Sequence, residues 1–331
     1  MKNLYIPDRD AYNVLSQEEK RELTRAIAQY TGAEWKGMAT FSCWGQTLRT
    51  ALFDLKGRRF IFVPGGTVTL GWNSFSPSDD SEFLRFKAAL DEDVQEYWGG
   101  RYQTEQILDL LTSPLRQTVI PPMLVEQKPR PFEDGQPVAL DDLELSEGWQ
   151  KAVEDFRKDT RSRQLILDTF TPGNPKLRIT RVSDGLLAAE VILPATVADL
   201  QKRLEAEGFS LPSADQWEYL CGGGCRSLFP WGDTLEHLKE KKGKPQPNFF
   251  GLTIAYEPYR REVVKDSPWP FRGGDGGEIA CYGRLNVLND FVCSPYFAGW
   301  FGQEWNEEME ALLADGLSND YDCYRRIFTL A

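Results

Sequence analysis

The segment LPSADQWEYLCGGGCRSLFPWGD, residues 211–233, restricts the possible fold of this chain more than any other stretch. Ser213 is suited to cap a short helix, because its hydroxyl can accept a hydrogen bond from an N–H group in the first turn. Trp217 and Leu220, three positions apart, lie on one face of that helix. The three glycines 222–224 then end the helix and let the backbone approach the aromatic residues that follow. The segment therefore predicts a short helix that leads into a tight glycine turn.

Elsewhere, helices are predicted where a capping residue precedes apolar residues at helical spacing. Strands are predicted where β-branched and aromatic residues lie between turn residues. The pattern around Pro64-Gly65-Gly66 indicates a hairpin, and the prolines of 116–131 indicate an edge strand or an extended segment. The predicted helices are 16–31, about 80–98, 104–113, 147–158, 195–208, 213–220 and 306–316, and the predicted strands are 58–72, 116–131, 163–170, 176–184 and 186–193. This mixture predicts an α+β fold with extensive loops.

Composition excludes several classes of partner. With 41% hydrophobic residues the chain is expected to be globular. Its formal charge of −12 argues against nucleic acid and against an anionic membrane surface, since both require clustered Lys and Arg. The N-terminal segment resembles no signal peptide, and no run approaches the roughly 18 apolar residues of a membrane span. We therefore expect a cytoplasmic protein.

Histidine and cysteine usage limits the metal chemistry. His237 is the one histidine, so sites built from two or three histidine ligands are impossible within one chain. It lies in a charged stretch and is interpreted as a surface residue. Cys221 and Cys225 are four positions apart, but three glycines separate them and no second cysteine or histidine pair lies nearby. Packing is favoured over a metal or redox role for both.

Six segments, in this order, resemble the formylglycine-generating enzyme (sulfatase-modifying factor) family. They are FIFVPGGTVTLGW (60–72), RQTVIPPMLVEQKP (116–129), LPSADQWEYLCGGG with FPWGD (211–233), NFFGLTIAYEPYRREVVKD (248–266), FRGGD (271–275) and RRIFTL (325–330). The resemblance implies a fold related to C-type lectins, with two helices at 195–208 and 213–220. It places the family-like domain at 59–331, with inserts at about 73–112 and 128–178. Residues 1–58 would be a helical N-terminal extension packed on that domain.

The resemblance also raises a question about the chemistry. Enzymes of this family hold copper(I) with two cysteine thiolates shortly after the Arg-Gly-Gly motif, and a soft ion requires both sulfurs. Cys281, with Tyr282 and Arg284 after it, resembles the second position, but residues 275–280 contain no cysteine. Cys293 lies twelve positions further on. Copper(I) is therefore not expected to bind in the manner of the family. Relatives that bind iron through three histidines are excluded by the single histidine.

Two functions remain open on the sequence. The favoured one is a pseudoenzyme whose loops bind a protein, peptide or glycan partner through Arg272, Tyr282, Arg284 and Trp231. A multi-protein assembly is one setting in which such a partner would occur. The alternative is a copper-dependent oxidase or oxygenase that acts through Cys281 on a peptide or small thiol. In that case Cys293, Cys323 or the substrate itself supplies the partner thiol, and Arg272 and Arg284 orient the substrate.

A structural calcium ion is a further expectation from the resemblance. Asn248, Glu257 and Asp266 lie where members of the family bind calcium, and oxygen ligands suit a hard cation. A plain turn explains the same residues equally well.

Overall fold

A computed structural model describes residues 4–132, 135–168, 175–183, 185–192, 195–234, 246–254, 260–266, 270–274 and 321–330. Over these ranges the chain is α+β, with seven α-helices and several antiparallel sheets. It divides into two compact units, the first within 1–130, 201–302 and 321–331 and the second mainly within 131–200. None of the helices in the described part of the chain is both long enough and apolar enough to cross a membrane.

The helices follow the local capping signals closely. Ser16 and Glu19 form the predicted capping box at the start of α2, and Gly32 ends it in the left-handed region. The helices are α1 Arg9–Val14, α2 Gln17–Thr31, α3 Ser81–Trp98, α4 Thr104–Leu111, α5 Glu147–Lys158, α6 Val197–Ala206 and α7 Ala214–Gly222. Six of the seven predicted helices are confirmed, and the seventh, 306–316, lies outside the described residues.

Fifteen strands are found in the described ranges. They are β1 Glu34–Cys43, β2 Gln46–Leu55, β3 Arg58–Val63, β4 Gly66–Leu70, β5 Arg116–Ile120, β6 Met123–Glu126, β7 Arg130–Pro131, β8 Gly135–Val138, β9 Gln164–Leu167, β10 Lys176–Ser183, β11 Leu186–Ile192, β12 Arg261–Val263, β13 Phe271–Gly273, β14 Asp322–Tyr324 and β15 Ile327–Thr329. The predicted strands between 163 and 193 correspond to β9, β10 and β11.

The first unit is built on a five-stranded antiparallel sheet in the order β1-β2-β3-β6-β15. One continuous row of partners crosses it through Gly37, Leu52, Ile61, Val125 and Ile327. The four consecutive residues 60–63 of β3 are fully buried, as expected for a strand that is covered on both faces. The closing segment of the chain, β15, thus completes the central sheet.

The predicted hairpin around Pro64-Gly65-Gly66 is wrong. β3 pairs with β2 and β6, whereas β4 pairs with β5 in a separate two-stranded sheet. The chain changes sheets at Gly65, where a Cβ atom would collide with the backbone of residues 120–122. A glycine that permits close backbone approach looks the same in sequence as a glycine in a hairpin turn.

The predicted edge strand at 116–131 also needs correction. The segment contains β5 and β6, separated by Pro121-Pro122, and the two-residue strand β7 at its end. β6 lies between β3 and β15, so it is an interior strand. Pro121 and Pro122 fall in the connection between β5 and β6, where no ladder hydrogen bond is lost.

The first 58 residues are helical only in their first half. After α1 and α2, the chain forms the ten-residue strands β1 and β2, which belong to the same sheet as β3. Tyr12 of α1 is fully buried and donates a hydrogen bond to the carbonyl of Arg49, 3.0 Å away. This segment therefore shares its sheet with the rest of the first unit.

The predicted insert at 73–112 forms α3 and α4, which pack on an apolar cluster of the first unit. The cluster includes Phe229, and Trp231 packs against it while keeping part of its surface exposed. Its buried members are Trp72, Phe86, Leu90, Val94, Ile107, Leu108, Leu228 and Phe229.

The second unit is a four-stranded antiparallel sheet in the order β8-β11-β10-β9, with α5 packed on it. Val153 and Phe156 of α5 are buried against Leu177 and Ile179 of β10 and Ala189 of β11. The second predicted insert, 128–178, supplies most of this unit.

Candidate functional site

Helix α7 is the centre of the motif-bearing region. Ser213 and Gln216 form a reciprocal capping box at its start, and Gly223 ends it with φ 65°. A side chain at Gly223 would be strained by that φ and would collide with the Phe249 ring, which explains one of the three glycines. The residues from Gln216 to Gly222 are all buried, so the helix is enclosed on every side.

Glu218 of α7 is committed to a buried internal network. Its carboxylate accepts hydrogen bonds from the Gly71 backbone N–H at 2.5 Å and from the Ser113 hydroxyl at 2.7 Å. The Arg116 guanidinium donates to the same carboxylate at 2.8 Å and to Asp215 at 2.6 Å. Glu218 thereby ties α7 to the β4–β5 sheet, and its hydrogen-bonding capacity is used for structure.

Asn248, one of the residues proposed to bind calcium, is also occupied. It is 2% exposed, and its side-chain amide donates to the carbonyls of Leu220 and Cys221 at 2.7 and 3.3 Å. Its Oδ1 atom accepts from the backbone N–H groups of Phe250 and Leu252 at 3.0 and 3.1 Å. Both lone pairs of that oxygen are therefore engaged by N–H donors, and the side chain links the end of α7 to the following loop.

Of the other two proposed calcium ligands, Asp266 is exposed, with φ 60°, and Glu257 lies outside the described residues. Within the ranges given above, no group of three or more His, Cys, Asp or Glu side chains is arranged to hold a metal ion.

Trp231 is positioned by a tight turn. The Gly232 N–H donates to the Phe229 carbonyl at 3.1 Å, and the Asp233 carboxylate accepts from the Leu228 N–H at 2.6 Å. The Trp231 indole N–H donates to the Thr234 carbonyl at 2.8 Å, and its ring stacks on Phe229 with centroids 5.0 Å apart. Burial raises the pKa of the Asp233 carboxyl, and the bond from Leu228 offsets part of that shift.

Trp44, which sequence reasoning missed, lies beside Trp231. Their ring centroids are 6.0 Å apart with the planes tilted by 53°, and the Phe249 ring lies 6.5 Å from Trp44 at 76°. Trp44 and Gly45 form the two-residue connection of the β1–β2 hairpin, with φ of 54° and 70°. A signal was present, because Trp-Gly stands between two strand-like runs where Asn-Gly is usual.

Arg272 is buried, whereas a residue that orients a substrate must be accessible to it. It is 6% exposed in β13 and donates to the Phe271 carbonyl at 2.7 Å. Next to it, Arg261 of β12 pairs with Asp322 of β14 at 2.6 Å, and its guanidinium lies 3.8 Å from the centroid of the Phe271 ring.

Cys323 of β14 is fully buried. Burial, together with the nearby Glu262 and Asp322 carboxylates, raises the pKa of its thiol to about 11, although the Arg260 guanidinium at 3.7 Å acts in the opposite direction. The thiol is therefore protonated at neutral pH, and this disfavours a role as nucleophile or metal ligand.

A second set of buried charges was not found from the sequence. Arg325 has no exposed surface, and it donates to both carboxylate oxygens of Glu262 at 2.9 and 2.7 Å. It also donates to the carbonyls of Glu126, Gln127 and Thr253 at 2.5, 3.0 and 2.6 Å. The adjacent Arg326 pairs with the Glu126 carboxylate at 2.9 Å. These arginines join β6, β12 and the end of the chain.

The remaining predicted site residues lie outside the described residues. These are Cys281, Tyr282, Arg284 and Cys293, together with His237. Of the predicted partner-contacting residues, the structure thus places Trp231 at a partly exposed position and Arg272 in a buried one.

Comparison with known proteins adds no family assignment, since no protein-family model and no curated protein matches this chain. Within the first unit, the motif residues Glu218, Asn248 and Arg272 make internal contacts, and the Trp44–Trp231 pair combines aromatic surface with partial exposure.

Proposed function

We propose that this chain is a divergent relative of the formylglycine-generating enzymes, with their C-type-lectin-like fold, and that it binds a protein, peptide or glycan partner. The order of the six similar segments supports the fold. The closing segment at 325–330, which forms the last strand of the central sheet, is consistent with it.

The observation that carries the binding function is the exposed surface that Trp231 keeps at a hydrogen-bonded turn. Arg272, which both candidate functions would use, is buried and donates to the carbonyl of its neighbour, so it favours neither. Burial raises the pKa of Cys323 to about 11, which disfavours this residue as the second thiol of an oxidase. Trp231 retains exposed surface at a hydrogen-bonded turn, and tryptophan is enriched among residues that dominate binding interfaces.

Titration of the reduced protein with copper(I), in competition with a chromophoric chelator, tests this proposal. We expect no stoichiometric uptake by the unmodified chain, and the same result for Cys281→Ser. Uptake of one copper per chain that is lost in Cys281→Ser would overturn the binding function and favour the oxidase, because two thiolates are needed for a tight copper(I) site.

A further inference from the structure

Trp44 adopts a backbone conformation that a bulky residue avoids. With φ 54° it lies in the left-handed region, where a bulky side chain is strained and persists only when its surroundings hold it there. Asn or Gly would fit this first position of the two-residue turn without that cost. An indole ring therefore occupies a turn position whose backbone conformation favours asparagine or glycine.

The same sheet contains a second turn for comparison. Lys56 and Gly57 connect β2 to β3, with φ of 54° and 73°, which matches the geometry of Trp44 and Gly45. Lys56 is exposed and its amino group reaches the Glu207 carbonyl at 2.6 Å. The turn geometry alone thus does not require tryptophan at its first position.

The ring of Trp44 forms an aromatic corner with its neighbours. The rings of Trp231 and Phe249 stand at 53° and 76° to the Trp44 ring, and the fully buried Phe249 forms the inner wall of the corner. Both tryptophans are partly exposed. Faces of indole and phenyl rings carry negative electrostatic potential, and tryptophan attracts cations most strongly.

One guanidinium group already lies against the aromatic rings next to Trp44. The Arg9 guanidinium lies 5.1 and 5.3 Å from the centroids of Phe249 and Phe250, and it donates to the Gly223 carbonyl at 2.9 Å. That carbonyl is at the C-terminal end of α7, the negative end of the helix dipole. The formal charge of −12 adds a long-range field that draws cationic partners towards the chain.

We propose that the Trp44–Trp231 corner is the contact site for the partner, and that it receives a lysine or arginine side chain of a basic polypeptide. This inference rests on the binding function proposed above and names the chemistry that the partner presents. Aromatic faces supply attraction to the cation, and the acidic chain raises the rate of encounter.

The test uses the full chain and a fluorescently labelled short peptide of alternating arginine and glycine, followed by anisotropy. An equally long peptide of glutamate and glycine and a neutral oligosaccharide are the comparison probes. We expect saturable binding of the arginine peptide alone, weakened by salt. Binding of the oligosaccharide or the acidic peptide instead would overturn the choice of a cationic group, and no saturable binding of any probe would overturn the site.

Two matched variants separate a binding role from a structural one. Trp44→Asn relieves the backbone strain but loses the ring contacts with Trp231 and Phe249, and it is expected to stay folded and to lower peptide affinity by at least about tenfold. Lys56→Asn changes the equivalent turn and is expected to bind the peptide as the unmodified chain does. Equal peptide affinity for the two variants, both shown to be folded by circular dichroism, would contradict the proposal.

The copper titration separates a failure of the proposed corner from a failure of the proposed binding function. If no copper is taken up and the arginine peptide fails to bind, the inference about the corner falls while the binding function stands. If one copper binds through Cys281, the binding function itself falls, whatever the peptide does.

Discussion

The substitution Asn248→Asp distinguishes the structural use of this residue from a calcium-binding one. In the structure the amide group donates to the Leu220 and Cys221 carbonyls, while Oδ1 accepts two backbone N–H groups. A carboxyl keeps the shape and the accepting oxygen. It replaces the donating amide with a second oxygen, which would face the Leu220 carbonyl at about the 2.7 Å of the present bond.

The introduced carboxyl can be ionised or protonated opposite that carbonyl, and in either state the free energy of unfolding is lower than in the unmodified chain. Ionised, it places a buried negative charge against two carbonyl oxygens at the negative end of α7, which costs on the order of 3–5 kcal/mol. Protonated, it can donate as the amide did. Holding an ordinary carboxyl of pKa about 3.9 protonated at pH 7 costs roughly (7 − 3.9) × 1.36, or about 4 kcal/mol. We therefore expect a loss of about 4 kcal/mol at neutral pH.

The pH dependence of this loss has a definite sign. Burial beside carbonyl oxygens raises the folded-state pKa of the introduced carboxyl above its unfolded value. The folded state then binds the proton more tightly, so the variant is closest to the unmodified chain below about pH 4. Its deficit grows by up to about 1.4 kcal/mol per pH unit as the pH rises through the folded-state pKa.

Urea unfolding followed by tryptophan fluorescence, at several values between about pH 4.5 and pH 7.5, measures the deficit. Asn13→Asp, at an exposed position of α1, is the control and should show a nearly constant difference. If the variant is unfolded at neutral pH, the acidic half of the series still reports the slope.

If Asn248 were a calcium ligand, Asn248→Asp would gain stability in the presence of calcium. An additional carboxylate oxygen would strengthen binding of a hard cation, so millimolar calcium would restore or raise the stability of Asn248→Asp. Such rescue, or a deficit that does not change with pH, would refute the structural interpretation of Asn248.

Three further perturbations address other buried groups. Glu218→Gln should lower the free energy of unfolding by about 2–3 kcal/mol in urea titrations, because it breaks the pairing with the partly exposed Arg116; a change below about 0.5 kcal/mol would contradict the network. Cys323 should resist iodoacetamide in the native protein at pH 8 and react once urea is added, because burial raises the pKa of its thiol to about 11. Native labelling of Cys323 as fast as that of the partly exposed Cys43, measured by mass spectrometry, would be inconsistent with that pKa. For Asp233, whose pKa is raised by burial, the stability present below the unfolded pKa is lost as the pH rises through the folded one. Asp233→Asn should therefore be at least as stable as the unmodified chain at pH 7, and it should lack this acid-to-neutral decline in thermal scans.

The helices were predictable because their ends are determined by nearby residues. The capping boxes at Ser16 and Ser213 involve partners three positions away, and Gly32 and Gly223 end their helices through their own φ angles. Local information is sufficient for features of this kind.

The sheet pairing was less predictable because it depends on distant segments. Pro64-Gly65-Gly66 has the composition of a hairpin turn, yet Gly65 is required where the backbone of residues 120–122 passes. The paired charges of Glu262 and Arg325 are 63 positions apart, and nothing in the local sequence of either one indicates burial. Without their partners in view, such residues are expected on the surface.

The residues that carry the family resemblance and the residues that keep exposed surface are different sets. Glu218 and Asn248 lie in segments that resemble the family, and their polar atoms are engaged by α7, its neighbouring strands and the following loop. Trp44 lies outside those segments, at a turn position whose left-handed backbone conformation is less strained for asparagine. The left-handed φ does not by itself distinguish Trp44, because the exposed Lys56 shares it. What distinguishes the turn between β1 and β2 is the contact of the Trp44 ring with the partly exposed Trp231 ring, and this contact is the reason to test the turn as a binding position.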